Sequence, residues 1–159
     1  MSRKYVRKQL VDLRLKMKII RLNYRIYDEL VEYAKNHLPE EACGLIAGKE
    51  TDGGFTVEKV YYLENIDHAN DHFTLDPKDQ MTAIKDMRTL GLKPLGNWHS
   101  HPESPSRPSL EDIKLAYDSK ASYMILSLMA NNPVLNSFHI EDGQVSKEDL
   151  RIYSEEYYY

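Results

Sequence analysis

The chain has 159 residues, of which 42% are hydrophobic and 29% charged, and its net charge is −4. These values indicate one globular domain with its own core, and they exclude an internal disulfide because Cys43 is the single cysteine. Since no apolar run reaches the roughly 18 residues of a membrane-spanning helix and no secretory signal opens the chain, we expect a cytoplasmic protein.

The first sixteen residues are rich in lysine and arginine and are predicted to be an extension of the domain. The simplest interpretation is a solvated segment, and the alternative is an arm that contacts an acidic partner or a nucleic acid. The acidic chain as a whole argues against nucleic-acid binding. We place the domain at residues 17–153 and expect 154–159, SEEYYY, to be a disordered tail.

From residue 17 the predicted elements alternate between helices and strands. A helix is expected where apolar residues recur on one stripe, namely at Ile26, Leu30, Val31 and Ala34. The first half of the domain is then predicted to contain a helix over 24–36, strands over 43–48, 55–66 and 72–75, and a hairpin turn at 52–54.

The second half begins with a helix over 76–91, which Asp76 caps, Pro77 starts and Gly91 ends. A strand over 95–99 runs into a proline-rich loop, and Ser109 caps a third helix over 109–120. Further strands are predicted over 122–129, 136–141 and 145–153, with a turn at Asp142-Gly143 between the last two. The pattern is that of a single α/β (α+β) domain.

The segment Trp98-His99-Ser100-His101-Pro102 carries the strongest chemical signal. In an extended backbone alternate side chains share a face, so His99 and His101 can point at one ion while Ser100 faces away. Asp112, in the first turn of the next helix, can supply a third ligand. Two imidazoles and one carboxylate leave a fourth position open, as in catalytic zinc sites. The same three ligands also suit iron(II), but zinc is the metal we expect for a hydrolytic reaction.

Two further side chains are candidates for the chemistry of such a site. Glu41 lies between an apolar helix and a buried strand, where burial would raise its pKa toward that of a general base. Ser109 could donate a hydrogen bond to a developing oxyanion, or it could serve as a helix cap only.

Together these residues resemble the complete motif of the JAMM (MPN+) metalloprotease family: a glutamate, then His-x-His, a serine and an aspartate at fixed spacings. The resemblance covers most of residues 17–153 and includes CGLIAG and SFHIEDGQV. It implies zinc ligands at His99, His101 and Asp112, a general acid/base at Glu41 and an oxyanion stabiliser at Ser109. It also implies a cytidine-deaminase-like fold, in which helices flank a curved mixed β-sheet.

The family resemblance implies cleavage of peptide or isopeptide bonds next to ubiquitin-like proteins, and the short chain resembles the prokaryotic branch. Two substrates stay open. One is a ThiS-like sulfur-carrier protein that loses cysteine or a short C-terminal extension, which we favour; the other is a small ubiquitin-like modifier on lysine side chains. Both present a Gly-Gly tail that could add to a strand edge. A non-catalytic MPN protein-binding module is the alternative from another class, and an oligomer is possible.

The other polar candidates have simpler interpretations. Glu40 competes with Glu41 for the role of base, and Glu103 could touch substrate, but both are interpreted as exposed acids. His68 and His72 would suggest a second metal site only on a helix, and the Asn/Asp-rich sequence around them favours a loop. Cys43 is predicted to be a core residue and not a nucleophile.

Overall fold

The structure is a computed structural model, and it describes Arg3 and residues 18–155. The predictions made for the basic extension, Arg3 apart, and for the tail after residue 155 lie outside the described residues. Within them, no helix is long and apolar enough to cross a membrane. The cytoplasmic location stays a prediction.

Eight strands and three helices follow one another along residues 18–155. The strands are β1 (Ile19–Asn23), β2 (Cys43–Thr51), β3 (Gly54–Leu63), β4 (Lys93–His101), β5 (Ser122–Ser127), β6 (Val134–Glu141), β7 (Gln144–Lys147) and β8 (Asp149–Tyr153). The helices are α1 (Tyr24–Asn36), α2 (Pro77–Thr89) and α3 (Leu110–Lys114).

The strands form one mixed sheet in the order β7-β6-β5-β4-β2-β3-β1-β8. β7 and β8 lie at opposite ends of this order, yet Glu148 alone joins them, so the sheet must curl until its edges approach each other. Glu148 connects the two edges: its N–H donates to the Ser137 carbonyl of β6 at 2.9 Å, and the next N–H, of Asp149, donates to Lys18 at 3.2 Å. The α/β prediction of a curved mixed sheet with flanking helices is confirmed.

Helices cover both faces of the sheet. Leu30 and Ala34 of α1 are buried in the main core together with Ile46 and Trp98. α2 buries Ala83 and Met87 against Ala47, and Ile113 of α3 packs against a third cluster that contains Ile125. Because side chains alternate along a strand, Trp98 of β4 faces α1, whereas its neighbours Asn97 and His99 face the side that carries α3.

The predictions for the helix caps and turns are confirmed at residues whose type favours one backbone conformation. α1 spans the predicted residues, and the Asp76 side chain caps α2 by accepting from the N–H of Lys78 at 2.7 Å. Gly91, just after α2, has a φ of 68°. Asp142 and Gly143 both have positive φ, 49° and 72°, as a two-residue type I′ hairpin turn requires.

The predicted strand over 72–75 is wrong, since only Leu75 forms an isolated bridge, with Asn65. The Asn65 side chain takes over the hydrogen bonds that a strand partner would make. Its Oδ1 accepts from the N–H groups of Asp67 and Thr74, and its Nδ2 donates to the carbonyls of Glu41 and His72. The segment is therefore a loop that is held by one side chain.

Three other elements also differ in kind or extent from the predictions. The helix expected over 109–120 covers only 110–114 and ends at the cap residue Leu115. The rest of that segment is irregular, and the N–H and carbonyl of Asp118 both bond to the Tyr123 hydroxyl. The single strand expected over 145–153 is two strands, separated at the buried Glu148. β1 had no counterpart among the predicted strands.

Candidate metal and catalytic centre

The pairing of β2 with β4 brings the predicted residues together. The two strands are antiparallel, with Cys43 opposite His99 and Gly44 opposite Trp98. If this register continues for two residues, it sets Ala42 opposite Ser100 and Glu41 opposite His101. Directly opposed residues of an antiparallel pair share a face, so Glu41 emerges on the same side of the sheet as the two histidines.

Three acceptor atoms converge at the end of β4. The Nε2 atoms of His99 and His101 are 3.0 Å apart, and each lies 3.2 Å from Oδ2 of Asp112. A proton can bridge only one pair of these atoms, whereas a cation between them would contact all three. The spacing is close to the about 3.3 Å that separates neighbouring ligands of a tetrahedral zinc ion with bonds of about 2.0–2.1 Å. The donor set and its spacing therefore fit a zinc ion.

Hydrogen bonds behind this cluster orient two of its members. His101 Nδ1 lies 2.8 Å from the carbonyl oxygen of Pro105. When Nδ1–H donates to that oxygen, the free lone pair of the neutral ring is on Nε2, which faces the cluster. Asp112 belongs to a capping box at the start of α3: its Oδ2 accepts from the N–H of Ser109 at 2.8 Å, and its own N–H donates to Ser109 Oγ at 3.0 Å. The cap thus aims the carboxylate at the histidines.

The pKa values of the cluster follow from burial and from these contacts. Burial lowers the pKa of His99 and favours the neutral imidazole that a cation needs. Burial would raise the pKa of Asp112, but its close contacts with the imidazoles of His101 and His99 outweigh this effect and hold that pKa below its ordinary value.

Glu41 completes the centre from the segment just before β2. Its side chain is 4% exposed, and Oε1 lies 4.0 Å from His101 Nε2; its Oε2 is buried without a partner within the described residues. Burial, and then the negative charge of Asp112, raise the pKa of Glu41 to about 9. Ligand atoms of Glu41, His99 and His101 all lie within 4.8 Å of one another. The acid is thus next to the acceptor cluster and ready to hold a proton.

The hydroxyl of Ser109 caps α3, which is one of the two roles predicted for it. Its oxygen accepts from Asp112 as the N-cap of α3. A hydroxyl that accepts still has its own proton to donate, so capping leaves Ser109 able to bind an oxyanion.

Ser100 is a residue whose contribution the sequence did not reveal. It is fully buried and faces away from the cluster. Its Oγ accepts from the N–H of Ala42 at 2.8 Å, and its N–H donates to the carbonyl of Ala42 at 2.8 Å. The Ser100 side chain thus takes the place of a backbone carbonyl as the acceptor for Ala42, just before β2 begins at Cys43. The sequence carried no signal for this contact, because it depends on the pairing of β2 with β4.

The remaining candidates are not among the converging residues. His68 and His72 are in the loop that follows β3, as predicted, where they contact Glu40 and Asp71 respectively. Glu103 is exposed on the loop after β4. Cys43 is fully buried, and burial raises the pKa of its thiol to about 12, in agreement with a core residue.

Comparisons with known proteins agree with this architecture. A family model described as prokaryotic homologs of the JAB domain matches residues 24–141. The CysO-cysteine peptidase of Mycobacterium tuberculosis is 29% identical over 128 residues, which are 80% of this chain and 86% of that protein. A probable TtuB-protein conjugate cleaving protease of Thermus thermophilus is 31% identical over 121 residues, 72% of this chain and 74% of that protein.

A solved structure has the same fold. The solution structure of protein DSY2949 from Desulfitobacterium hafniense superposes with a TM-score of 0.79 and 44% sequence identity, and covers 86% of this chain and 94% of that one. The likeness therefore extends over nearly the whole described domain.

The contact between Ser100 and Ala42 yields a first testable prediction. Ser100→Ala leaves the buried N–H of Ala42 without its acceptor, so we expect a loss of about 1–3 kcal/mol in the free energy of unfolding, measured by urea denaturation. Ser100→Thr keeps the oxygen and should lose less. Equal stabilities of wild type and Ser100→Ala would show that the contact contributes nothing.

Proposed function

Because the chain belongs to the family of prokaryotic homologs of the JAB domain, we propose that it is a zinc-dependent hydrolase. Its substrate would be the peptide or isopeptide bond that follows the Gly-Gly tail of a sulfur-carrier or ubiquitin-like protein. We further propose that residues 17–153 form the catalytic domain and residues 1–16 an extension of it. The relatives compared above bear the names of a peptidase and a protease, which supports hydrolysis.

The observation that carries the proposal is the convergence of His99, His101 and Asp112 beside a buried acid. In a purely structural cluster the buried carboxylate oxygen of Glu41 would have a hydrogen-bond partner, and within the described residues Oε2 has none. We therefore assign the three converging residues as ligands and Glu41 as the general acid/base.

A zinc ion, when bound, supplies Lewis acidity, which polarises a carbonyl and lowers the pKa of water toward neutrality. Glu41 would take the proton of the attacking water on its carboxylate and pass it to the leaving amine, so that this residue ends the cycle as it began. Its burial supports this role, because a carboxyl group with a raised pKa holds a proton more readily than an exposed one.

Ser109 would act on the other reacting atom. Its hydroxyl proton could be donated to the carbonyl oxygen of the scissile bond as negative charge develops there. The capping box holds the serine and Asp112 in one rigid turn, so the oxyanion donor and a ligand would keep a constant separation.

The names of the relatives support two substrates. Similarity to a CysO-cysteine peptidase over 80% of the chain supports release of cysteine from a sulfur carrier, which we favour. Similarity to a TtuB-protein conjugate cleaving protease supports the alternative, removal of a ubiquitin-like modifier from proteins. A non-catalytic binding module would have no need for a buried acid beside three converging acceptors.

Zinc analysis of two variants tests the assignment of the centre. His99→Ala removes a ligand and should lose stoichiometric zinc, measured by mass spectrometry of the metal content. Glu41→Gln keeps all three ligands and should retain zinc while turnover falls by about 10²–10⁴-fold.

His139→Ala is the control, since this histidine lies on β6 and is paired with Glu141. Full zinc in His99→Ala would refute the ligand assignment. Normal turnover in Glu41→Gln would show that another acid is the general base.

Paired substitutions of Ser109 separate its two roles. Ser109→Ala should cost about 0.5–2 kcal/mol of stability because the cap is lost, whereas Ser109→Gly should cost only a few tenths. Both remove the hydroxyl, so both should lower kcat by about 10²–10³-fold if it binds the oxyanion. A kcat that falls only in the less stable variant would limit Ser109 to capping.

The substrate is tested by incubating the zinc-loaded protein with Gly-Gly-tailed carrier proteins from the same cell. Each carrier would be fused to cysteine or joined to a lysine-bearing peptide. Mass spectrometry should show cleavage directly after the second glycine, with the cysteine adduct cut faster. Cleavage of the lysine conjugate alone would select the alternative substrate, and no cleavage of either would refute the proposed function.

A further inference from the structure

The loop after β3, residues 64–76, holds the backbone of Glu41 on both sides. The N–H of Glu41 donates to the carbonyl of Ala69 at 2.8 Å, and its carbonyl accepts from Asn65 Nδ2 at 3.1 Å. The carboxylate provides no comparable anchor, because its Oε2 has no partner within the described residues. The position of the acid therefore depends on its backbone, and this loop supplies the partners of both backbone groups.

The same loop carries the aromatic ring that lies against His99. The rings of Phe73 and His99 are stacked, with their centroids 4.6 Å apart and their planes at 28°. A metal-binding histidine usually donates from its second ring nitrogen to a carbonyl or carboxylate, as His101 can to Pro105. Nδ1 of His99 is buried and has no such partner in the part of the chain that the structure describes. Stacking on Phe73 is therefore the contact that we expect to hold the plane of the His99 imidazole.

One side chain, that of Asn65, connects these two supports. Asn65 is 5% exposed, and its Nδ2 donates to the carbonyls of Glu41 and His72, the latter at 3.0 Å. Its Oδ1 accepts from the N–H of Thr74 at 3.2 Å. The His72 carbonyl and the Thr74 N–H belong to the two peptide groups that flank Phe73. The amide thus holds the backbone on both sides of the stacked ring as well as the backbone of Glu41.

An asparagine amide suits this position because it has two N–H donors and an oxygen with two lone pairs. Here both kinds of group are used, since Oδ1 also accepts from the N–H of Asp67 at 3.1 Å. Nδ2 makes a longer third contact, 3.4 Å, with the carbonyl of Ala69. A buried polar network in which every group is bonded favours one arrangement of its members. Removal of this amide would release several backbone groups of the loop at once.

We propose that Asn65 is a positioning residue of the candidate centre, whose amide keeps Glu41 and, by way of Phe73, the ring of His99 in a fixed arrangement. The inference rests on the proposed function, in which these two residues are the general acid/base and a zinc ligand. Asn65 would not touch the substrate. It would act only through the residues that it holds.

Zinc affinity, measured without substrate by competition with a chromophoric chelator, tests this role. Asn65→Ala removes the amide, whereas Phe73→Leu removes only the stacked ring and keeps the hydrogen bonds of the loop. Both variants retain the three proposed ligands. Each should bind zinc about 10-fold more weakly than the wild type, the lower end of the range for residues that orient metal ligands. If Asn65→Ala does not fold, the zinc affinity of Phe73→Leu decides.

Ser137→Ala is the matched control for a loss of stability. Ser137 is buried like Asn65, and its hydroxyl donates to the buried carboxylate of Glu148 at 2.8 Å. It is in register with Trp98 through a residue of β5 and so lies on the face of the sheet away from His99. This variant should unfold at a lower urea concentration than the wild type while its zinc affinity and kcat stay unchanged.

Turnover separates positioning from a purely structural role. At a zinc concentration that saturates each protein, kcat of Asn65→Ala should still be about 10-fold lower, because the carbonyl of Glu41 has lost its donor. Wild-type zinc affinity in folded Asn65→Ala, or in Phe73→Leu, would overturn the inference. A wild type that binds zinc but cuts no Gly-Gly fusion would refute the proposed function alone, since the affinities are measured without substrate. A wild type that binds no zinc would refute both.

Discussion

The candidate centre depends on one backbone constraint, the register between β2 and β4. That register sets Cys43 opposite His99, and its continuation for two residues would set Glu41 opposite His101. A shift by one residue would turn Glu41 to the other face of the sheet. Just before β2 begins, the side chain of Ser100 accepts a hydrogen bond from the N–H of Ala42. This buried donor therefore has a partner although Ala42 lies outside the strand. Hydrogen bonding of the backbone thus determines where the acid lies relative to the imidazoles.

The second constraint is local and lies at the start of α3. Five residues make a helix too short to be stable alone, and its N-terminus is held by the reciprocal bonds between Ser109 and Asp112. The same carboxylate oxygen that accepts from the Ser109 N–H also faces both histidines. One side chain therefore connects the stability of the turn with the geometry of the centre.

Sequence reasoning worked where a residue type determines its own geometry. The helix caps, the glycine turns and the alternation of His99 and His101 depend only on nearby residues, and the structure agrees with each of them. It failed where contacts with residues far away in the sequence determine the local structure. The loop at 72–75 follows from the contacts of Asn65, and the break at Glu148 follows from contacts with β6 and Lys18. The bond of Ser100 to Ala42 could not be foreseen either, because it requires the strand register.

The single-residue connection at Glu148 also bears on self-association. Open sheet edges act as templates for pairing with other molecules and so promote aggregation. Here the curl brings both margins of the sheet together, and β7, one of the two, has only four residues, all exposed. A long, flat template is thereby avoided. A longer connection at Glu148 would let these two edges move apart, so the shortness of this link keeps the open edges of the sheet close together.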